Sequence, residues 1–451
     1  MKDTLKISIS GVRGVIGESL TPQTVLTFAQ AFGTLIGPGP VILGRDTRQS
    51  GPMMEHIIMA GLMSVGCQPL LAGIIPTPTV LVLTRALQAR GGIAITASHN
   101  PASWNALKFV EPTGLFLNQN RTQTLIEYLE KGNFPLVSEA ALPKLATIDN
   151  PMQEHFRRII DYVNSDGIRQ KCFKVAVDAC NGVGAIHTAS FLRDHLGCEV
   201  VTIFDRTDGT FERDPEPSRA NLKSLCQTVM EHRCDLGFAQ DPDGDRLALV
   251  DEHGQAIGED LTLAIAIEQV LARHQQTPVV INLSTSKSVA SVAQRQGSQV
   301  NRTKIGEIYV TEAMLDQGAA VGGEGNGGVV IPDIHPCRDS YTGMAIVLEH
   351  LLDTGQSLSK CCANIPAYTM VKDKKAIPED KVKAILEAIN THYAAHHPST
   401  LDGIYVDFGE SWLHVRPSNT EPVLRVTVEV PTGEKAEPLL QELNRIIDRV
   451  L

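Results

Sequence analysis

Residues 173–184 read FKVAVDACNGVG, a short β-branched apolar run that ends in an Asp/Asn/Gly loop. Such a run, bounded by turn residues, is the mark of a buried strand feeding a loop. The same texture occurs twice more, in PVILGRDTRQSG at 40–51 and PVVINLSTSKS at 278–288. Helical patterns separate these runs throughout the chain, which predicts an α/β architecture. The three units are spaced about a domain apart and read as weak internal repeats of one α/β domain with a mixed sheet.

Working outward, KGNFPLVSEAALPKLATIDNP at 131–151 carries three prolines and reads as a linker after the first unit. NIPAYTMVKDKKAI at 364–377 marks a second change of texture. Beyond it, the strand-like DGIYVDF, SWLHVRP and VLRVTVEV mix with two helical stretches. This predicts a smaller C-terminal α+β domain. The expected domains are 1–145, 146–255, 256–365 and 366–451.

Bulk properties narrow the function. At 451 residues the chain is too long for one ordinary core. A formal net charge of −11 argues against a general nucleic-acid binder, so any anion must be held by a local cluster of donors. No apolar run is long enough to span a membrane, and the N-terminus lacks the apolar core of a secretory signal. The nine cysteines include no CxxC and read as reduced thiols in a cytoplasmic protein.

Four motifs carry chemistry. ITASHNP at 95–101 places Ser98 beside His99 at the end of an apolar strand. A turn serine, a nucleophile and a phosphate carrier all fit Ser98. No GxSxG elbow supports a hydrolase, and neighbouring side chains of an extended segment point apart, so His99 is not automatically its base. DPDGDR at 241–246 sets Asp241, Asp243 and Asp245 at alternate positions. Three carboxylates so close repel unless a cation offsets them, and oxygen ligands suit Mg²⁺. An exposed acidic turn is the alternative. An EF-hand is rejected, because Arg246 stands where that loop needs glycine. RPSNTEP at 416–422 offers an arginine, hydroxyls, an amide and turn N–H groups to an anion, or forms a polar hairpin turn. GGEGNGGVV at 322–330 offers Glu324 and Asn326 among glycines, as a ligand loop or as a flexible one. Neither a dinucleotide fingerprint nor a P-loop is present: His187 stands at the third glycine of the NGVGA candidate.

Taken together and in this order, one per expected domain, TASHNP, DPDGDR, GGEGNGG and RPSNTEP resemble the α-D-phosphohexomutase family. ISGVRGVIGESLTP at 9–22, LGRDTRQSG at 43–51 and GIIPTPTV at 73–80 resemble family signatures too. The resemblance implies four domains around a central cleft, three of one topology. It implies that Ser98 carries the phosphate and that Asp241, Asp243 and Asp245 bind one Mg²⁺ with it. Arg13 and Lys108 would flank the reacting oxygen, with His99 a further catalytic candidate. Arg246, Glu324 and Asn326 would face the sugar, and Arg416, Ser418, Asn419 and Thr420 would hold its non-reacting phosphate.

The implied activity is exchange of hexose 1- and 6-phosphates through a 1,6-bisphosphate, which would also serve as activator. A phosphoglucosamine mutase is favoured, a phosphoglucomutase/phosphomannomutase is the alternative, and a non-catalytic sugar-phosphate binder is the reading from another class. Partners would be sugar phosphates, with no nucleic acid or membrane, and the protein a monomer or homodimer. The sequence departs from the family at the sugar loop, where Gly328 stands in place of a common histidine. His335, seven residues on, is weighed as its stand-in against a structural turn residue.

Overall fold

The computed structural model describes residues 4–9, 11–418 and 423–451. Four sheets carry the architecture. In the first, Gly39–Arg45 lies between Cys67–Ile74 and Gly91–Ile95, both parallel to it, and Gly91–Ile95 pairs antiparallel with Trp104–Val110. In the second, Lys174–Asp178 lies between Glu199–Ile203 and Leu236–Gln240, and Leu236–Gln240 pairs antiparallel with Leu247–Val250. In the third, Val279–Asn282 lies between Val300–Thr303 and Val321–Glu324, and Val321–Glu324 pairs antiparallel with Gly328–Ile331. The chain visits these strands in the same sequence each time: centre, one neighbour, the other neighbour, antiparallel return. The expected three related α/β units are present. The fourth sheet, ordered Tyr368–Ala376, Val423–Pro431, Trp412–Pro417, Ile404–Asp407, is wholly antiparallel.

The three repeated runs of the sequence are the central strands of the three units. Val41, Ile42 and Leu43 are fully buried, as are Val175, Ala176, Val177 and Val279, Val280, Ile281. Helices cover both faces of a parallel sheet, so its strands read as continuous apolar runs. Two further strands, Gly11–Val15 and Lys6–Ser8, extend the first sheet beyond Trp104–Val110, and Ala146–Thr147 closes its other edge.

The shared topology places the functional loops. Each third strand ends in the loop before its antiparallel return, and those loops are residues 96–103, 241–246 and 325–327. Strand ends of separate sheets therefore present three loops to one place. They are stitched together by Thr77 N–H to the Asp243 carbonyl (2.9 Å), Leu247 N–H to the Gly327 carbonyl (3.0 Å) and Ser340 Oγ to the Gly244 carbonyl (2.7 Å). No helix among the described residues is long and apolar enough to cross a membrane.

Candidate active site

Ser98 lies three residues past the end of Gly91–Ile95 and is buried, with φ +48°. That left-handed conformation is uncommon for a residue with a Cβ, and surrounding structure must impose it. Arg48 does so. Its Nη2 donates to the carbonyls of Ser98 (2.6 Å) and Asn100 (2.7 Å), and its Nη1 to those of Pro101 (2.7 Å) and Trp104 (3.0 Å). Its Nε donates to Asp46 Oδ2 at 3.0 Å, and Asp46 also accepts from Thr96 Oγ1 at 2.6 Å. Thr96 Oγ1 in turn accepts the Ser98 N–H at 3.0 Å. The signature at 43–51 thus builds the cradle of the Ser98 loop.

The Ser98 hydroxyl donates to Asp241 Oδ2 at 2.5 Å. Asp241 Oδ1 accepts the N–H groups of Asp245 and Arg246, each at 3.2 Å. Lys108, on the return strand Trp104–Val110, reaches Asp243 Oδ2 at 2.6 Å and Asp245 Oδ2 at 3.4 Å. Thr77 Oγ1 donates to the same Asp243 oxygen at 2.6 Å. Burial, then the charges of Asp245 and Asp243, push the Asp241 carboxyl well above its ordinary range. Burial works in the same sense on Asp243, but Lys108 and the hydrogen bonds to Asp241, Lys108 and Thr77 outweigh it and hold that carboxyl low. Lys108 is held charged: burial opposes its charge, and Asp243 and Asp245 outweigh burial.

One oxygen from each of Asp241, Asp243 and Asp245 lies within 4.8 Å of the others. Asp243 Oδ1 and Asp245 Oδ1 are buried with no hydrogen-bond partner. Unit charges ~4 Å apart interact by about 4 kcal/mol at an effective dielectric of ~20. Unpartnered oxygens in so tight an acidic group fit a hard divalent cation with oxygen ligands, as Mg²⁺ is.

Around this centre lie the other sequence candidates. Arg13 Nη1 donates to Asn100 Oδ1 at 3.1 Å, and burial, then Arg246, lowers its pKa. His99 Nδ1 is 3.4 Å from Ser98 Oγ. The charge of Arg246, with burial and Arg13, lowers the His99 imidazole to about 2, so the ring is neutral. Arg246 itself meets Glu216 at 3.3 Å. Glu324 Oε1 accepts from Asn282 Nδ2 (2.8 Å) and Gly306 N–H (3.1 Å). Asn326 Oδ1 is buried without a partner. The turn between these strands needs Gly327, which has φ +83° and whose Cβ would lie 2.3 Å from the Leu247 carbonyl oxygen. Arg416 lies on the fourth sheet, on Trp412–Pro417. Burial lowers its pKa, and the charges of Asp402 and Glu324 act against that. Ser418 follows the same strand, while Asn419 and Thr420 lie outside the described residues.

His335 is not brought to Ser98. Its Nε2 is 2.8 Å from the Gly114 carbonyl, beside the turn that precedes strand His335–Arg338, and burial lowers its pKa to about 4. Of the two readings weighed for His335, this contact supports the buried structural residue. The side chain that does reach the acidic loop is Arg338, three positions on, with Nη2 2.7 Å from Asp245 Oδ2. The sequence reading passed over it. Alternation along that strand was the available signal, since residues 335 and 338 face opposite sides.

Family models for phosphoglucomutase/phosphomannomutase match the chain from end to end: alpha/beta/alpha domain I at residues 5–135, domain II at 123–254, domain III at 258–368 and the C-terminal domain at 370–446. A probable phosphoglucosamine mutase of Methanopyrus kandleri is 34% identical over 98% of this chain and 97% of its own. A phosphoglucomutase/phosphomannomutase of Thermococcus kodakarensis is also 34% identical, over 98% of each chain. Among solved structures, a phosphoglucomutase/phosphomannomutase family protein of Burkholderia thailandensis superposes with TM-score 0.86 at 24% identity, covering 98% of both chains. The N-acetylphosphoglucosamine mutase of Aspergillus fumigatus, solved with GlcNAc-6P and magnesium, superposes with TM-score 0.58 at 15% identity, covering 99% of this chain and 96% of that one.

Proposed function

The chain belongs to the phosphoglucomutase/phosphomannomutase family of phosphohexomutases, which are isomerases, and from that premise we propose that it interconverts a hexose 1-phosphate and a hexose 6-phosphate through a phosphate carried on Ser98. The observation that carries this reading is the Ser98 hydroxyl 2.5 Å from Asp241, at the mouth of a buried aspartate trio backed by Lys108. A sugar hydroxyl oxygen gives up its proton and attacks the phosphorus, the bond from Ser98 Oγ to phosphorus breaks, Ser98 Oγ takes up a proton, and a sugar 1,6-bisphosphate forms. After the bisphosphate turns round, Ser98 Oγ takes back the other phosphate.

Asp241, Asp243 and Asp245 would hold Mg²⁺ together with a phosphate oxygen. The ion supplies charge neutralisation for the phosphoryl group in transfer. Arg13 and Lys108 flank the reacting oxygen. Lys108 is kept charged by two carboxylates, so it accepts the hydroxyl proton only after releasing its own, which becomes easier once the carboxylate charge is taken up. His99 lines the same space as a neutral ring. Glu324, Asn326 and Arg246 bind the sugar. Arg416 and Ser418, with Asn419 and Thr420, hold the phosphate that does not react, and so orient the substrate. A hexose 1,6-bisphosphate primes Ser98.

Glucosamine phosphate is the favoured substrate, in keeping with the probable phosphoglucosamine mutase among the relatives. Glucose and mannose phosphates are the second reading, because a relative of equal identity is a phosphoglucomutase/phosphomannomutase. Coupled assays on glucosamine, glucose and mannose 1-phosphates, each with its 1,6-bisphosphate, decide between them. Mass spectrometry is expected to find phosphate on Ser98 of the active protein, and Ser98→Ala to abolish turnover with the fold intact. Full turnover by Ser98→Ala would overturn the carrier role. Tight binding of all three sugars without turnover would make the protein a binder.

A further inference from the structure

Arg338 ties the acidic loop, the glycine-rich hairpin and helix Glu307–Gln317 to one another through a single side chain. Its Nη2 donates to Asp245 Oδ2 of the acidic loop at 2.7 Å. Its Nη1 donates to Glu324 Oε2 of the glycine-rich hairpin at 2.9 Å, and its Nε to Glu307 Oε2 of helix Glu307–Gln317 at 2.9 Å. Glu307 Oε1 accepts the Arg338 backbone N–H at 3.0 Å, so the strand end is pinned as well. The side chain is only 10% exposed. A planar fork with all three nitrogens engaged has little freedom to swing aside.

Its stem runs under Gly328. A Cβ at position 328 would lie 2.3 Å from Arg338 Cδ and 2.8 Å from Cγ. Those atoms are mid-chain, and the anchored guanidinium keeps them from yielding. The backbone of Gly328 does not itself require glycine, since its φ is outside the left-handed region.

We propose that Arg338 is a positioning residue that couples the acidic loop to the sugar-binding hairpin, fixing Asp245 against Glu324 and limiting the acidic loop's pull on a divalent cation, and that residue 328 is glycine to give it room. This rests on the reading of Asp245 as a metal ligand and Glu324 as a sugar contact. The coupling has an unusual signature. Removing the guanidinium frees Asp245 and leaves the acidic loop more negative, so Mg²⁺ binds more tightly. The same change removes the hydrogen bond that holds Glu324 Oε2 and leaves only those from Asn282 and Gly306 to Oε1, so the sugar phosphate binds less well. A brace that merely held the fold together would weaken both.

The test measures Mg²⁺ binding by calorimetry on the dephosphorylated full-length protein without sugar, and kcat and KM separately. Arg338→Gln is expected to lower the Mg²⁺ Kd about five- to tenfold, the scale of one partly screened charge, and to raise KM about tenfold, as for a lost charge-assisted contact. Arg338→Lys is expected to restore the Mg²⁺ Kd but not KM, because an ammonium supplies the charge without the three-way fork. Gly328→Ala keeps the charge and displaces the stem, so like Arg338→Lys it is expected to raise KM and leave the Mg²⁺ Kd near that of the wild type; an unchanged KM there overturns the coupling even if Arg338→Gln fails to fold. A folded Arg338→Gln whose Mg²⁺ Kd is unchanged or raised overturns the coupling. Wild-type protein that binds no Mg²⁺ overturns instead the metal reading on which the coupling stands.

Discussion

Arg48 shows how much one side chain can decide. A guanidinium has five N–H donors, and in Arg48 they go to Asp46 and to four carbonyls of the Ser98 loop. Lysine offers three donors from a single point and cannot span that arc. Arg48→Lys is therefore expected to release the loop and lower kcat. Arg48→Gln goes further and leaves Asp46 buried without its cation, a change that costs about 3–5 kcal/mol. Burial already holds the Asp46 carboxyl above its ordinary range, against the pull of Arg48 and Thr96. Without Arg48 it rises further. A carboxyl whose folded pKa exceeds its unfolded one favours the fold at low pH and loses that advantage as pH rises through the folded value. The stability deficit of Arg48→Gln should thus be smallest in acid and grow toward neutrality. Urea denaturation of both proteins across that range checks it; a deficit independent of pH would mean that Asp46 is not the strained group.

Elements explain what could and could not be read from sequence. The three apolar runs were legible because strands buried on both faces must be apolar along their length. Ser98 and the aspartate trio were legible because each motif is contiguous and its chemistry sits in neighbouring residues. What was not legible is that the functional loops follow the third strand of each unit rather than the repeated runs themselves. That follows from strand order, which no local pattern contains. Arg48 and Thr77 stood inside quoted signatures without a role, since their partners are some fifty residues or more away in sequence. His335 drew attention as an ionisable residue near a vacant position, yet its strand turns it toward Gly114. Asp339, next to Arg338, was likewise opaque. It caps helix Ser340–Thr354 through the N–H groups of Tyr341 and Thr342, and meets His155 Nε2 at 2.9 Å. That buried pair, with Thr79 Oγ1 2.8 Å from His155 Nδ1, ties helices from three distant stretches of chain.

At the scale of the whole molecule, the fourth sheet docks on the third unit through a few specific contacts. Glu429 Oε2 accepts from Trp412 Nε1 at 2.6 Å and from the Lys287 N–H at 2.8 Å, while Leu283, Tyr405 and Trp412 pack together. This docking brings Arg416 within the electrostatic reach of Glu324. A clamp on the non-reacting phosphate acts in ground and transition states alike. Arg416→Ala is therefore expected mainly to raise KM, with kcat/KM falling about ten- to a hundredfold, the worth of a charge-assisted hydrogen bond. Steady-state kinetics that leave kcat/KM unchanged would remove Arg416 from the clamp. The left-handed backbone at Ser98, φ +48°, bears on the molecule as a whole too. Alanine and glycine at position 98 both lack the hydroxyl and differ only in the Cβ methyl and the backbone restriction it brings. Glycine adopts this conformation freely, whereas alanine pays about 1 kcal/mol for it. Calorimetry should rank Ser98→Gly above Ser98→Ala in melting temperature, reversing the order that holds in helices and strands. The proposed phosphate carrier thus occupies a backbone seat that suits a residue without a side chain, and the durable inert copy, the one to choose for trapping a bound sugar phosphate, is the glycine variant.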